Sequence, residues 1–335
     1  MIITHIITSL GNGGAEGVLY RLCKNDSTHS HIVISMMDEG KYGAFLRNSG
    51  IKVYCLKMNS TRIRVKDFLK LYKLLRKIKP DIIQTWMYHA DFFGGIVARL
   101  AGFKNVFWNI RHTTLLPKDS KKSTIFVAKL CARLSTVIPK HIICCAEEAM
   151  KVHIDLGFEK RKMSVISNGY DISLFKPSEK LKFSFRNELG FNSNTLVLAM
   201  VGRFHPQKNH LGLLKALSIV KSSYDNFKFL LIGRDLNHDN LILSNEIKKY
   251  NLESNIILLD QRSDMPFVMN AIDINVLSSS SGEGFPNVLA EAMACGTPCV
   301  TTNIGDAALI VDDTGWVSSP NDPIALSNAI IEAIE

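Results

Sequence analysis

The chain lacks any apolar run approaching the roughly 20 residues of a membrane-spanning helix. Its longer runs, such as 194–201 and 255–259, stop far short of that length, so no helix is expected to cross a bilayer. A basic leader and a small-residue cleavage site are also missing. Instead MIITHIITSLGNGG alternates straight into a glycine loop as a mature strand does, and export is not expected. The seven cysteines are an odd number without metal-ligand spacing, since Cys144 and Cys145 are adjacent and Cys295 and Cys299 flank a Gly-Thr-Pro turn. They imply neither a disulfide framework nor a zinc site, and read as reduced packing residues of a cytosolic protein. Repeats of solenoid length and low-complexity tracts are absent. No aromatic platform or base-reading motif accompanies the basic residues, which disfavours nucleic acid as a partner.

What is present suits a soluble globular protein: 46% of residues are apolar and 21% charged, enough to build a core. A length of 335 residues exceeds one ordinary core, so two domains are expected. Charge is divided unevenly, with 27 Lys and Arg against 12 Asp and Glu in residues 1–170 and 13 against 19 in the rest. Much of the basic excess lies in RIRVKDFLKLYKLLRKIK (62–79), a helical pattern with Val65, Leu69, Tyr72 and Leu75 expected inside, and in PKDSKKSTIFVAKLCARL (117–134). Two readings stand: a solvated helix face, or attraction to anionic lipid or another polyanion.

Strand-like runs alternate with helix-period segments along both halves. In the first half they are 3–8, 31–37, 52–56, 81–86, 105–110 and 141–146; in the second, 196–202, 228–233, 255–260, 274–279 and 298–303. This alternation predicts βαβ units on parallel sheets, hence an α/β fold of two doubly wound, Rossmann-like domains facing a central cleft. The segment 167–190, opening on Asn-Gly and carrying Pro177, marks the crossing, with domains at 1–170 and 171–335. In open parallel sheets ligands lie outside the carboxyl ends of the strands, so chemistry belongs to the loops after strands.

Three such loops stand out. SLGNGGAEGVLYRL (9–22) is a glycine-rich strand-to-helix turn that could approach an anionic ligand, but Glu16 stands where a dinucleotide fingerprint needs its third glycine. VGRFHPQKNHLGLLKAL (201–217) places Arg203 and Lys208 in the turn between Gly202 and a helix that Asn209 can cap. A planar fork and a movable point charge beside a helix N-terminus suit a diphosphate. SGEGFPNVLAEAMACGTPCV (281–300) puts Glu283 in a loop and Glu291 on the following helix, with the N–H groups of roughly 284–288 between them. Those N–H groups can hold an anion while the two carboxylates accept from hydroxyls on either side.

The segment Glu283-Gly-Phe-Pro-Asn-Val-Leu-Ala-Glu291 resembles the Glu-x7-Glu signature of the group 1, or family 4, retaining glycosyltransferases of GT-B fold. GGAE (13–16), NGYD (168–171), VGRFHPQKN (201–209) and SDMP (263–266) occur in that family's order, so the resemblance covers nearly the whole chain. It implies a nucleotide-sugar donor, expected to be a UDP-sugar, bound mainly by the second domain. Arg203 and Lys208 would neutralise the departing diphosphate, with Gly202 beneath them. Glu283 would hold hydroxyls of the donor sugar, and Glu291 those of the ribose. Gly284, Phe285, Pro286, Asn287 and Val288 would complete the donor site, Arg262 would meet the base, and Gly13 and Gly14 would let the first loop close over phosphates or sugar. His112 matches a histidine near the transferred sugar; Glu16 and His89 are weaker candidates on the acceptor side.

The resemblance further implies retention by a same-face mechanism, with no catalytic carboxylate pair at glycosidase spacing. No Asp-x-Asp triplet occurs, in keeping with a GT-B enzyme that takes no metal or other cofactor. The expected acceptor is a lipid-linked oligosaccharide or another surface-polysaccharide precursor at the inner face of the membrane, with the basic first domain peripheral to it. The chain ends inside a helical pattern, DPIALSNAIIEAIE, where family members continue with further helix, and LIGRDLNHDN does not separate uridine from guanosine. The competing readings are a noncatalytic nucleotide-sugar-binding module and a GT-B epimerase.

Overall fold

A computed structural model of the chain describes residues 1–58, 64–113, 115 and 121–335. The opening positions of the two basic segments, 62, 63 and 117–120, lie outside the described residues. The chain divides into two compact units, Met1–Gly169 and Tyr170–Glu335.

Unit 1 carries β1 (Ile2–Ile7), β2 (Ser30–Ser35), β3 (Lys52–Cys55), β4 (Ile82–Trp86), β5 (Val106–Ile110), β6 (His141–Cys144) and β7 (Met163–Val165). They form one parallel sheet in the order β3-β2-β1-β4-β5-β6-β7. Helices follow most strands and cover both faces, which is why β2 is buried at five consecutive positions rather than at alternate ones. The register sets Ile7 beside Trp86 and Trp86 beside Asn109, so the chain leaves β1, β4 and β5 at one level.

Unit 2 repeats the plan with β8 (Leu196–Val201), β9 (Phe227–Ile232), β10 (Ile256–Leu259), β11 (Ile274–Leu277), β12 (Cys299–Thr302) and β13 (Trp316–Ser318), again all parallel, in the order β10-β9-β8-β11-β12-β13. Phe229, Leu231 and Val276 of its strands pack with Leu214, Leu217 and Leu289 of its helices in one core. Each apolar run anticipated from sequence contains a strand. The additional strands, β7 and β13, are three-residue edges too short to show a periodicity.

The helix Val65–Ile78 corrects one expectation. Val65 is 77% and Leu69 47% exposed, while Asp67, Leu71 and Leu75 are buried. The face carrying Phe68, Leu71, Leu75 and Ile78 is the more apolar one, and the sheet took it. The outer arc keeps Val65 and Leu69 beside the exposed Lys66, Lys73 and Lys77. Among the described residues no helix is long and apolar enough to cross a membrane. No disulfide joins any of the seven cysteines, and six of them are buried.

Candidate active site

Each sheet reverses its strand order at its first strand, between β1 and β4 in unit 1 and between β8 and β11 in unit 2, and such a reversal opens a crevice at the carboxyl ends. In unit 2 the loops leaving β8 and β11 are therefore neighbours. Ser278 Oγ donates to Lys208 O at 2.9 Å, and the Ser280 N–H donates to Gln207 O at 2.8 Å. Small hydroxyl side chains after β11 thus hold the lysine-bearing loop where larger ones would push it away. Gly202 matters for closeness too, since a Cβ there would stand 3.2 Å from Lys208 Cε. Asn209, in the left-handed region at φ 54°, caps the helix His210–Ser223 by accepting from the Gly212 N–H at 3.2 Å.

The centre of this arrangement is an ion pair. Lys208 Nζ lies 2.5 Å from Glu283 Oε1, which also accepts from Ser279 Oγ at 2.5 Å. The side chains are only 17% and 9% exposed, so water screens the pair weakly. The Glu283 backbone is held from behind. Gly305 turns at φ 61° with its α-carbon so near Glu283 O that a Cβ would overlap it, and the Asp306 N–H donates to Gly284 O at 3.0 Å. The buried Pro286 then starts the helix Asn287–Ala294. Tyr170 braces the start of that helix, stacking on Phe285 with ring centroids 6.3 Å apart and donating its hydroxyl to Asn287 Oδ1 at 2.7 Å.

Not every expected donor-site residue joins the pair. Arg203 is exposed on the same loop as Lys208. Glu291 is half-buried on the helix beyond Val288, and its charge adds to burial in pushing the Cys295 thiol up to about 11. The bonded partners of Arg262 are Asp264, at 2.6 Å, and Glu188, at 2.9 Å, with its guanidinium 4.8 Å above the Phe185 ring. The fork that was expected to meet a base is thus held by two carboxylates.

Sequence reasoning missed several parts of the site. Ser279 and Tyr170 were visible only as a small-residue turn and as part of NGYD, without an assigned contact. His210 is 2% exposed beneath Lys208. Burial first, and the Lys208 charge second, lower its pKa to about 4, which keeps the imidazole neutral.

In unit 1 the glycine loop leads into the helix Gly14–Asn25 with Gly13 at its cap. The Glu16 carboxyl folds back over Gly13, where a Cβ would collide with it. Burial raises the pKa of Glu16, opposed by its own backbone N–H and the Ser9 hydroxyl. Met87, just past β4, adopts φ 72°, an unusual conformation for a methionine. It sends Tyr88 inward and leaves His89 half-buried, with its pKa lowered by burial. The Tyr88 hydroxyl donates to His153 Nε2 at 2.7 Å, because His153 Nδ1–H is committed to Ala149 O at 2.6 Å. His112 follows β5, and its charge adds to burial in lowering His153 to about 4.

Among the described residues, His5, Cys23 and His31 bring potential metal donors within 4.8 Å of one another. Their hydrogen bonds favour another role. The Trp86 Nε1–H can only donate, so His5 Nδ1, 3.2 Å away, accepts. A neutral His5 therefore carries its proton on Nε2 and donates to His31 Nδ1 at 2.9 Å, and His31 Nε2–H reaches Asp26 Oδ2 at 3.1 Å. Burial, mainly, lowers His5 to about 3 and raises the Cys23 thiol to about 12. A metal on His5 Nε2 would move the proton to Nδ1, against the indole N–H. The two imidazoles form a directed hydrogen-bond relay between Trp86 and Asp26.

Two doubly wound units of this strand order, one with paired cation and acid at its crevice, define a GT-B glycosyltransferase. The chain belongs to the group 1, or family 4, glycosyltransferases: residues 182–335 match the family model "Glycosyl transferases group 1", and residues 12–174 match "Glycosyltransferase Family 4". It is 31% identical over 276 residues to the Escherichia coli UDP-Gal:alpha-D-GlcNAc-diphosphoundecaprenol alpha-1,3-galactosyltransferase, covering 81% of this chain and 70% of that one. Identity to the Staphylococcus aureus capsular polysaccharide biosynthesis glycosyltransferase CapM is 27%, over 81% of this chain and 71% of that protein. The fold matches Anabaena HepE, solved in complex with UDP and glucose, with a TM-score of 0.87 at 24% identity over 99% of this chain and 89% of that one.

Proposed function

We propose that this glycosyltransferase moves a sugar, with retention of configuration, from a UDP-sugar to a lipid-linked diphosphate acceptor in bacterial surface-glycan synthesis. The observation that carries the reading is the Lys208–Glu283–Ser279 cluster at the crevice of unit 2. An ammonium and an acid side by side suit the two ends of a sugar diphosphate: Lys208, with Arg203, takes the phosphates, and Glu283 accepts from sugar hydroxyls. The N–H groups at the start of the helix Asn287–Ala294 add donors for the anion, and Glu291 receives the ribose. By resemblance to the family, His112 is assigned to the transferred sugar, and Glu16 and His89 to the acceptor. Relatives support the acceptor class, since the E. coli protein and a Campylobacter jejuni relative 26% identical over 284 residues are both named for diphosphoundecaprenol-linked sugars.

In the step itself the acceptor oxygen bonds to the anomeric carbon on the face that the diphosphate leaves. The anomeric carbon–oxygen bond breaks with its electron pair passing to the phosphate, and that phosphate oxygen takes the acceptor proton. Lys208 and Arg203 absorb the charge as it grows, which is the work a metal ion does in other transferases. The exposed arc of the helix Val65–Ile78, with Val65 and Leu69 among lysines, supports a peripheral stance on an anionic membrane.

The deciding measurement is transfer of labelled sugar from a panel of nucleotide sugars to a prenyl-diphosphate-linked acceptor, with the anomeric configuration of the product read by NMR. An inverted product would refute the same-face step. Donor binding without turnover on any acceptor would favour a noncatalytic module.

A further inference from the structure

Two adjacent hydroxyls leave the end of β11 and act on different parts of the site. Ser278 donates to the backbone of the Lys208 loop, whereas Ser279 donates to the Glu283 carboxylate, four residues on, at 2.5 Å. Ser279 is fully buried, and its backbone is held in turn. Thr302 Oγ1, at the end of β12, donates to Ser279 O at 2.6 Å, and the pairing of Leu277 with Thr301 sets these two strand ends side by side. On the other flank the next residue, Ser280, gives its N–H to Gln207 O at 2.8 Å. Gly282, at φ 72°, lets the chain turn back so that the Glu283 side chain meets the hydroxyl.

Two of the groups bonded to Glu283 differ in character. Lys208 is a point charge on a flexible four-carbon stem, and the function proposed above sends it to phosphate when a donor binds. Ser279 is a short side chain on a strand end tied both to β12 and to the Lys208 loop, so it holds its place. Its bond to a carboxylate oxygen fixes direction as well as distance. A carboxylate held in one place tells a sugar from its epimer, because a hydroxyl misplaced by about 1 Å no longer bonds well; one that swings follows either sugar. We propose that Ser279 is the positioning residue for Glu283 and thereby sets which donor sugars the site accepts, keeping the carboxylate in place while Lys208 passes from acid to phosphate. This rests on Glu283 meeting the sugar hydroxyls, as proposed above. A hydroxyl that merely steadied the loop would affect the nucleotide and every sugar nucleotide alike, whereas a positioning one separates them.

The test is calorimetric titration of the full chain with UDP and with two epimeric pairs, UDP-galactose against UDP-glucose and UDP-N-acetylgalactosamine against UDP-N-acetylglucosamine. Binding needs no acceptor. Wild type should prefer one member of at least one pair. Ser279→Ala should cut that preference by about tenfold, the lower end for a hydrogen bond to a charged group, or erase a smaller one, with UDP itself little changed. Glu283→Gln should erase the preference too, and adding Ser279→Ala to it should change the preference no further, because the hydroxyl acts through the carboxylate. Thr302→Val keeps the shape but drops the bond to Ser279 O, and should lower the preference by less; if Ser279→Ala fails to fold, an unaltered preference in Thr302→Val overturns the proposal. Equal weakening of UDP and all four sugar nucleotides in Ser279→Ala, an unchanged preference there, or a wild type that prefers neither member of either pair overturns it as well. The function beneath it fails by a different result. A preference that survives Glu283→Gln removes Glu283 from the sugar and this proposal with it, whereas loss in Glu283→Gln without loss in Ser279→Ala removes the role of Ser279 alone.

Discussion

Neutralising Glu283 should tighten the grip on a nucleoside diphosphate while disabling sugar transfer. Lys208 is bonded to Glu283 at 2.5 Å in a setting only 17% and 9% exposed, so a phosphate has to compete with the carboxylate for the ammonium. A charge-assisted hydrogen bond is worth roughly 1.5–3 kcal/mol net. Taking about 1.5 kcal/mol, the ammonium is released in roughly one molecule in ten, and ligand affinity falls by that fraction. Glu283→Gln keeps the shape and a weaker acceptor, so UDP affinity should rise about tenfold. The UDP-sugar should gain less or lose, because the carboxylate proposed to accept from its hydroxyls has gone, and turnover should drop by about 100-fold, on the scale of one lost transition-state contact. Calorimetric titration of wild type, Glu283→Gln, Lys208→Met and the double variant with both ligands separates these effects. If Glu283→Gln bound UDP no more tightly than wild type, the competition between acid and phosphate for Lys208 would be wrong.

Asp91 is fully buried, with Oδ1 accepting from Thr85 Oγ1 at 2.5 Å, and burial drives its pKa well above the usual carboxylate range. The folded state then holds a proton that the unfolded chain releases above about pH 4. Stability contributed by this group is present below that pH and declines as pH rises toward the folded pKa. Asp91→Asn should flatten this decline and raise stability at neutral pH, measured by urea unfolding at pH 4.5 and 7.5; an unchanged slope would count against a protonated Asp91. Gly305→Ala forces a side chain into the left-handed region and against Glu283 O. A loss of about 1–3 kcal/mol with a fall in turnover is expected, and thermal melts with transfer assays would show whether the Glu283 loop depends on this glycine. Replacing Lys66, Lys73 and Lys77 by alanine should weaken binding to vesicles containing phosphatidylglycerol by roughly 100-fold at about 1 kcal/mol per charge. Co-sedimentation no weaker than wild type would place the membrane contact elsewhere.

Much of the fold was legible because parallel sheets buried on both faces leave long apolar runs such as FKFLLI and LVLAMV, and glycine-rich turns mark where those runs end. That Lys208 and Glu283 stand in loops after strands was legible because Gly202 and the small-residue turn SSSGEG mark where β8 and β11 end. The edge strands Met163–Val165 and Trp316–Ser318 were not, because three residues carry no period. The helix Val65–Ile78 was turned the wrong way because two apolar stripes share Leu75, and only packing on the sheet chose between them.

Contacts across long separations were beyond any local pattern. Nothing near Lys208 announces that Glu283, 75 residues on, will bond to it, or that Tyr170 will brace Asn287 across 117. Arg262 shows the opposite case, a cation that looked open in sequence and is claimed by Glu188 from 74 residues away. The sequence by itself determined the alternation of strand and helix, the number of domains and which residue types stand at the strand ends, because these follow from backbone preference and from which side chains leave water. The tertiary structure alone decided which of those ends meet, since parallel pairing brings distant segments together in an order that chain sequence does not carry, and the charges there find partners only after the sheet has closed.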